Sequence, residues 1–234
     1  MSEPIGTVQR YYTRWARFYE LLSARTPGVG HVRRTAIDRL DLDRGDVVVE
    51  MGCGTGANLP YLRQAVGPEG RVIGIDFTPG VLEIARDRID HNGWENVHVV
   101  RADATGPPLA LASGAGMRPD AVFASFVCGM FDDPAATVET WAELVGPGGR
   151  IGLMDLGRSS HPIGRLLNPL FRVAVRYTTP PGADAPDGPL AGVLDRRIAA
   201  AHRRLHDLRS PGTGRYEARV AGFVRISAGT IDDW

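Results

Sequence analysis

Val47-Val48-Val49-Glu50-Met51-Gly52-Cys53-Gly54-Thr55-Gly56-Ala57 is the stretch that decides the fold. Three consecutive valines read as a strand buried on both faces, since such a strand is apolar without alternation. The glycine turn behind it opens a helix that runs to about Val66. A turn of this kind lets a ligand reach the backbone with no Cβ in the way. Downstream the same alternation repeats. Strands are expected at Arg71–Asp76, Val97–Arg101, Ala121–Phe126 and Gly149–Asp155, with helices at Pro79–Asn92 and Ala135–Val145. Tyr216–Ile231 supplies two more strands. Strands separated by helices predict an α/β fold with a doubly wound, mostly parallel seven-stranded sheet.

Upstream, Val8, Tyr11, Tyr12, Trp15, Phe18, Tyr19 and Leu22 recur at helical spacing, and a second helix covers about His31–Leu40. The chain therefore reads as one domain: residues 1–44 a helical cap, 45–155 a ligand-binding core, 156–210 an acceptor-side insertion and 211–234 the closing strands. Thr105–Pro119 is polar and rich in Gly and Pro, as a loop would be.

The glycine turn alone leaves two readings open, because Gly52, Gly54 and Ala57 also satisfy the dinucleotide pattern G-x-G-x-x-A. Three features favour S-adenosylmethionine (SAM) over a nicotinamide dinucleotide. A carboxylate at Glu50 would repel a pyrophosphate but suits an ammonium and a sulfonium. The turn follows a helical extension placed to cover a cofactor. Finally, the 234 residues leave no room for a separate dehydrogenase domain. The chain also contains no lysine, all 27 of its Lys-or-Arg cations being arginine. That removes the P-loop lysine, a Schiff base and the Tyr-Lys pair of single-domain dehydrogenases.

Asp76 ends the second strand, where this topology places an acid that accepts ribose hydroxyls. Phe77 would then lie against adenine, and Asp103, after the third strand, would accept from the adenine amino group. Ser125, at the end of the fourth strand, edges the same crevice.

The runs VVVEMGCGTGANLP, VIGIDFTPGVLEIAR, VVRADAT, DAVFASFVCGMFDDP and LVGPGGRIGLMDL resemble the successive motifs of class I SAM-dependent methyltransferases, a Rossmann-like family. The nearest flavour is the ubiquinone/menaquinone C-methyltransferases, with phospholipid N-methyltransferases as relatives. The resemblance spans about residues 8–155 and implies SAM contacts at Glu50, Gly52, Thr55, Asp76, Asp103, Ala104 and Ser125, to which the glycine turn adds Gly54 and Gly56 and the strand end adds Phe77. Tyr19, in Phe18-Tyr19-Glu20, matches the family's capping tyrosine. After Ser125-Phe126 the chain departs from the quinone enzymes: Val127-Cys128-Gly129-Met130 replaces their Gly-Leu-Arg-Asn-like run.

Methyl transfer from a sulfonium needs positioning more than it needs a metal or a strong base. No metal site is expected, and no catalytic base is marked. His31 and His161 are the candidates for a base, while His202 and His206, one turn apart beside Arg203 and Arg204, read as a solvated helix face. Cys53 and Cys128 form no CxxC pair and read as packing residues. Balanced charge, with 27 basic and 27 acidic residues, argues against nucleic acid as a partner. No run approaches the length that spans a bilayer, so the expected location is cytoplasmic, with peripheral contact at a membrane surface. Arginine alternating with Leu, Ile and Phe over 161–176, and the basic helix near 190–209, suit a small apolar acceptor, quinone-like or lipid. A SAM-binding protein without catalysis is the alternative, and an NAD(P)-dependent oxidoreductase the remote one.

Overall fold

The computed structural model describes residues 28–108, 118–178 and 190–233. The elements run α1 (Val29–Asp38), β1 (Val47–Met51), α2 (Leu59–Val66), β2 (Arg71–Asp76), α3 (Pro79–Asn92), β3 (Val97–Arg101) and β4 (Ala121–Ser125). A short 3-10 turn (Cys128–Met130) leads to α4 (Pro134–Val145), β5 (Arg150–Leu156), α5 (Pro162–Thr178), α6 (Leu190–Leu208), β6 (Arg215–Arg219) and β7 (Val224–Thr230). The aromatic N-terminal helix, Tyr19 within it and most of the 105–119 loop lie outside the described residues.

The sheet has seven strands in the order β3-β2-β1-β4-β5-β7-β6. Strands β1 to β5 are parallel, β7 is antiparallel to β5, and β6 is antiparallel to β7. This is the expected doubly wound sheet, closed by a hairpin.

Each face carries its own apolar layer. Val48, Val72, Phe123, Met154 and Ile226 point to the side covered by α1, α2 and α3 through Ile37, Leu40, Leu59, Leu62, Ala85 and Ile89. Val49, Met51, Ile73, Ile75, Val122, Ala124, Ile151 and Leu153 point to the side covered by α4 and α6 through Trp141, Ala142, Val145, Ala201 and Leu205. The valine triplet is fully apolar because both of its faces are covered, and burying one such side chain is worth about 1.5–3 kcal/mol. The helix starts are locally encoded: Pro79 and Pro134 occupy the first turn, and Asp133 accepts a hydrogen bond from the Ala136 N–H at 3.0 Å.

The described residues between 156 and 210 form two helices, α5 and α6, the second where the basic helix near 190–209 is expected. Helix α6 is a covering layer of the sheet, with Ile198, Ala201, Leu205 and Leu208 buried, so its apolar stripe faces inward rather than toward an acceptor or a bilayer. Helix α5 is the added element, set at the carboxyl edge beside the β6–β7 turn.

Candidate cofactor site

At the carboxyl edge the chain order of the sheet reverses. From β1 the connections move outward to β2 and β3 on one side, and to β4 and β5 on the other, leaving a crevice between β1 and β4. Glu50 stands at its base, paired in register with Gly74 of β2 and Phe123 of β4. Its side chain is fully buried. Oε1 accepts a hydrogen bond from Asn58 Nδ2 at 2.6 Å, while Oε2 is buried with no hydrogen-bond partner among the described residues. Burial pushes the carboxyl up from the ordinary 4.5 to about 7, against the opposing pull of Asn58 and the Arg33 charge.

Asn58 is the hub that the sequence did not reveal. It occupies the position just before α2, so its side chain can turn back over the glycine turn. Its amide also donates to Ser125 Oγ at 2.7 Å, and its carbonyl accepts from Arg33 Nη1 at 2.5 Å. Arg33 comes from α1 and lies over the Phe126 ring, 5.5 Å from its centroid. Phe126 itself has φ +59°, a left-handed conformation unusual for a large side chain. Arg33, Asn58, Glu50 and Ser125 are thus one network tying α1, β1, α2 and β4 together.

The glycine turn forms the second group. Gly52 has φ +68°, and a Cβ there would lie 2.9 Å from Val127 Cγ2. Gly54 has φ +54° and open space where a Cβ would stand. Its N–H donates to Asp76 Oδ2 at 3.0 Å, while Asp76 Oδ1 accepts from the Thr78 N–H at 2.8 Å. Burial raises the Asp76 carboxyl above its usual range, opposed by these two amides. Within the turn, Gly56 N–H returns to the Cys53 carbonyl, and Thr55 is buried. Phe77, next to Asp76, leaves 45% of its surface exposed.

The third group closes β3. Asp103 is exposed, and its Oδ1 accepts from both the N–H and the hydroxyl of Thr105 at 2.8 Å. Ala104 is buried, its carbonyl taking the Trp141 indole N–H at 2.7 Å.

This donor set fits SAM. The partnerless Oε2 of Glu50 offers negative charge to an ammonium, Asp76 retains acceptor capacity for hydroxyls, and the open face of Gly54 admits a ligand to the backbone. The same buried carboxylate opposes a pyrophosphate beside the turn.

Residues 49–151 match the family model described as a methyltransferase domain. The matched stretch runs from β1 to the start of β5, so the likeness to methyltransferases lies in the core that carries the glycine turn. It is 33% identical over 163 residues to 2-phytyl-1,4-naphtoquinone methyltransferase of Thermosynechococcus vestitus, a match covering 66% of this chain and 65% of that protein. It is 32% identical over 197 residues to nocamycin O-methyltransferase of Saccharothrix syringae, covering 83% of this chain and 65% of the relative. The chain therefore spans a little under two thirds of the length of either relative. A crystal structure of a SAM-dependent methyltransferase from Aquifex aeolicus shares the fold, with a TM-score of 0.62, 17% identity and coverage of 94% and 98% of the two chains.

One expectation is overturned. His202 is not on a solvated face: its side chain is only 9% exposed, between α6 and the sheet. Nε2 meets Asp155 Oδ2 at 3.2 Å and Nδ1 meets Ser227 Oγ at 2.7 Å, while Asp155 Oδ1 accepts the Cys128 N–H at 3.3 Å. With both ring nitrogens engaged, His202 pins α6 to β5 and β7. His206 is exposed, as are His31 and His161. Cys53 and Cys128 are buried and free, with their thiols pushed well up by burial. Among the described residues no three His, Cys, Asp or Glu side chains group as a metal site, and no helix is long and apolar enough to cross a membrane.

Proposed function

We propose that this chain transfers the methyl group of SAM to a small apolar acceptor, quinone-like or lipid. The observation that carries the reading is Glu50, a buried carboxylate with one oxygen left without a partner beside an open glycine turn. In this reading Glu50 holds the ammonium, with Asn58 fixing its rotamer and Arg33 supporting Asn58. Asp76 takes the ribose hydroxyls, Phe77 lies against the adenine and Asp103 meets its amino group. Ser125 and the Gly52–Gly56 turn line the crevice, and Tyr19 is assigned the capping role only by its match to the family's motif. When bound, SAM supplies an electrophilic methyl on a sulfonium. The chain's own task is to hold the acceptor atom in line with it and keep water out.

Two observations support an apolar acceptor. Val127-Cys128-Gly129-Met130, following Ser125, presents no charged or amide side chain, and Met130 is exposed. Residues 156–178 then add an Arg-flanked apolar helix at the same edge of the sheet. The names of the two relatives point to a phytyl-naphthoquinone and to nocamycin as their substrates. No general base is assigned, since His31 and His161 are solvent-facing and His202 is occupied.

The test is incubation of the protein with methyl-labelled SAM and a lipid extract, followed by mass analysis of labelled product. Label is expected in the organic phase, on a compound of low polarity. Label confined to water-soluble product would refute the apolar acceptor. Tight SAM binding with no transfer to any fraction would favour the non-catalytic alternative.

A further inference from the structure

Helix α5 is anchored by one face and presents another to solvent. Gly164, Asn168 and Phe171 form the anchored stripe. A Cβ at Gly164 would lie 2.2 Å from the Ala221 carbonyl oxygen, Asn168 makes two hydrogen bonds to the Ser159 backbone at 2.9 and 3.0 Å, and Phe171 meets the Phe223 ring at 5.4 Å. Ile163, Leu166, Leu167, Leu170 and Val173 occupy a different sector, roughly a third of the circumference at 3.6 residues per turn. All five are exposed, Leu166 by 80% and Leu170 by 68%. Nothing among the described residues covers them, and contiguous apolar exposure on this scale marks an interaction surface.

Charge says what kind. Arg165 and Arg172 are exposed in the remaining sector, and from Gly157 to Ala183 the sequence contains four arginines and His161 but no Asp or Glu, Arg158 being paired with Asp195 of α6. The whole chain is neutral, so this is a local concentration of positive charge. The β6–β7 turn adds a second element. Val220 and Ala221 there hold φ +53° and +51°, a conformation that a β-branched residue rarely accepts, and Val220 is exposed beside the first turn of α5. Apolar side chains bordered by arginine on the side away from the anchored stripe, with no acid interspersed along the helix, match a surface that is apolar beneath and negative on top, the long arginine stems reaching back to its headgroups.

We propose that α5 docks the protein on an anionic lipid bilayer, its Ile/Leu/Val sector in the acyl boundary and Arg165 and Arg172 at the phosphates. The helix sits at the carboxyl edge, where the Glu50–Asp76 crevice opens, so a membrane-dissolved acceptor could enter without crossing bulk water. That purpose rests on the apolar-acceptor reading, while the docking itself does not.

The test is flotation of the full chain with vesicles of phosphatidylcholine alone and with 30% phosphatidylglycerol. Binding at least tenfold stronger to the anionic vesicles is expected. The double substitution Leu166→Glu with Leu170→Glu should lower it at least tenfold, and Arg165→Glu with Arg172→Glu should erase the preference for phosphatidylglycerol. Both variants should keep the melting temperature and SAM affinity of the parent. No flotation, or flotation insensitive to these changes, would overturn the proposal. So would a large fall in melting temperature for the leucine variant, because it would mean that the chain itself or a second copy covers the stripe. Methyl transfer to a detergent-dispersed acceptor, measured alongside, distinguishes the two readings: flotation without transfer sinks the proposed function alone, and transfer without flotation sinks only the docking.

Discussion

Replacing Glu50 by glutamine is expected to weaken SAM binding about a hundredfold, roughly 3 kcal/mol, while stabilising the ligand-free protein at pH 8. The two effects have one cause. In the ligand-free protein the carboxyl is fully buried and half of it is unsatisfied, so burial holds its pKa near 7 instead of 4.5. A raised acid pKa means that the folded state binds the proton more tightly than the unfolded chain does. Its contribution to stability is therefore complete below pH 4.5 and is lost as pH rises through 7. The shift corresponds to about 3 kcal/mol, of which relaxation and water entry would leave about 2. Glutamine keeps the acceptor for Asn58 and removes this loss. It also removes the charge that meets the ammonium. In the parent protein the same logic makes SAM affinity fall as pH drops below 7, by up to tenfold per unit, because only the ionised carboxylate pairs with a cation. Thermal melts at pH 5 and pH 8, with calorimetry across the same range, check both halves. A variant that binds SAM normally, or a parent whose affinity is flat between pH 5.5 and 8, would remove Glu50 from the ligand.

Asp76→Ala is expected to cost about 2–4 kcal/mol of SAM affinity, since ribose hydroxyls lose a charged acceptor in a partly closed site. The structure adds a local component. Asp76 also accepts the N–H groups of Gly54 and Thr78, so alanine loosens the glycine turn itself. Asparagine retains one acceptor oxygen and should be milder. Calorimetry on the folded variants measures the difference, and unchanged affinity in a folded Asp76→Ala protein would show that the ribose is held elsewhere.

These side chains differ in how visible they were before folding. The valine triplet, the glycine turn and the strand-end acids Glu50 and Asp76 are local features, and their meaning follows from a strand running into a turn. The alternation of strands and helices and the two closing strands were legible for the same reason, whereas the order of the strands in the sheet emerged only on folding. Asn58 was not, because an asparagine before a proline-started helix reads as a cap. Its three partners lie 8, 25 and 67 residues away. His202 was misread because arginines at the next two positions make the helix face look wet, whereas Asp155 and Ser227 reach it from strands 47 and 25 residues distant. Helix α5 was not assigned from sequence, where residues 161–176 show only arginine alternating with Leu, Ile and Phe; Pro162, Gly164 and Pro169 disfavour a helix, yet one runs from Pro162 through the other two. Arg33 gave no local sign at all. Its role exists only once α1 packs against α2 and β5 and brings the guanidinium to Asn58 and Phe126.

The central claim is that the crevice between β1 and β4 is built for SAM, and competitive calorimetry tests it most directly. SAM and S-adenosylhomocysteine should bind with a Kd on the order of micromolar, about −8 kcal/mol, and NAD should give no heat and no displacement at a hundred times that concentration. NAD binding more tightly than SAM would contradict the account, because the buried Glu50 carboxylate would then have to tolerate a pyrophosphate beside it.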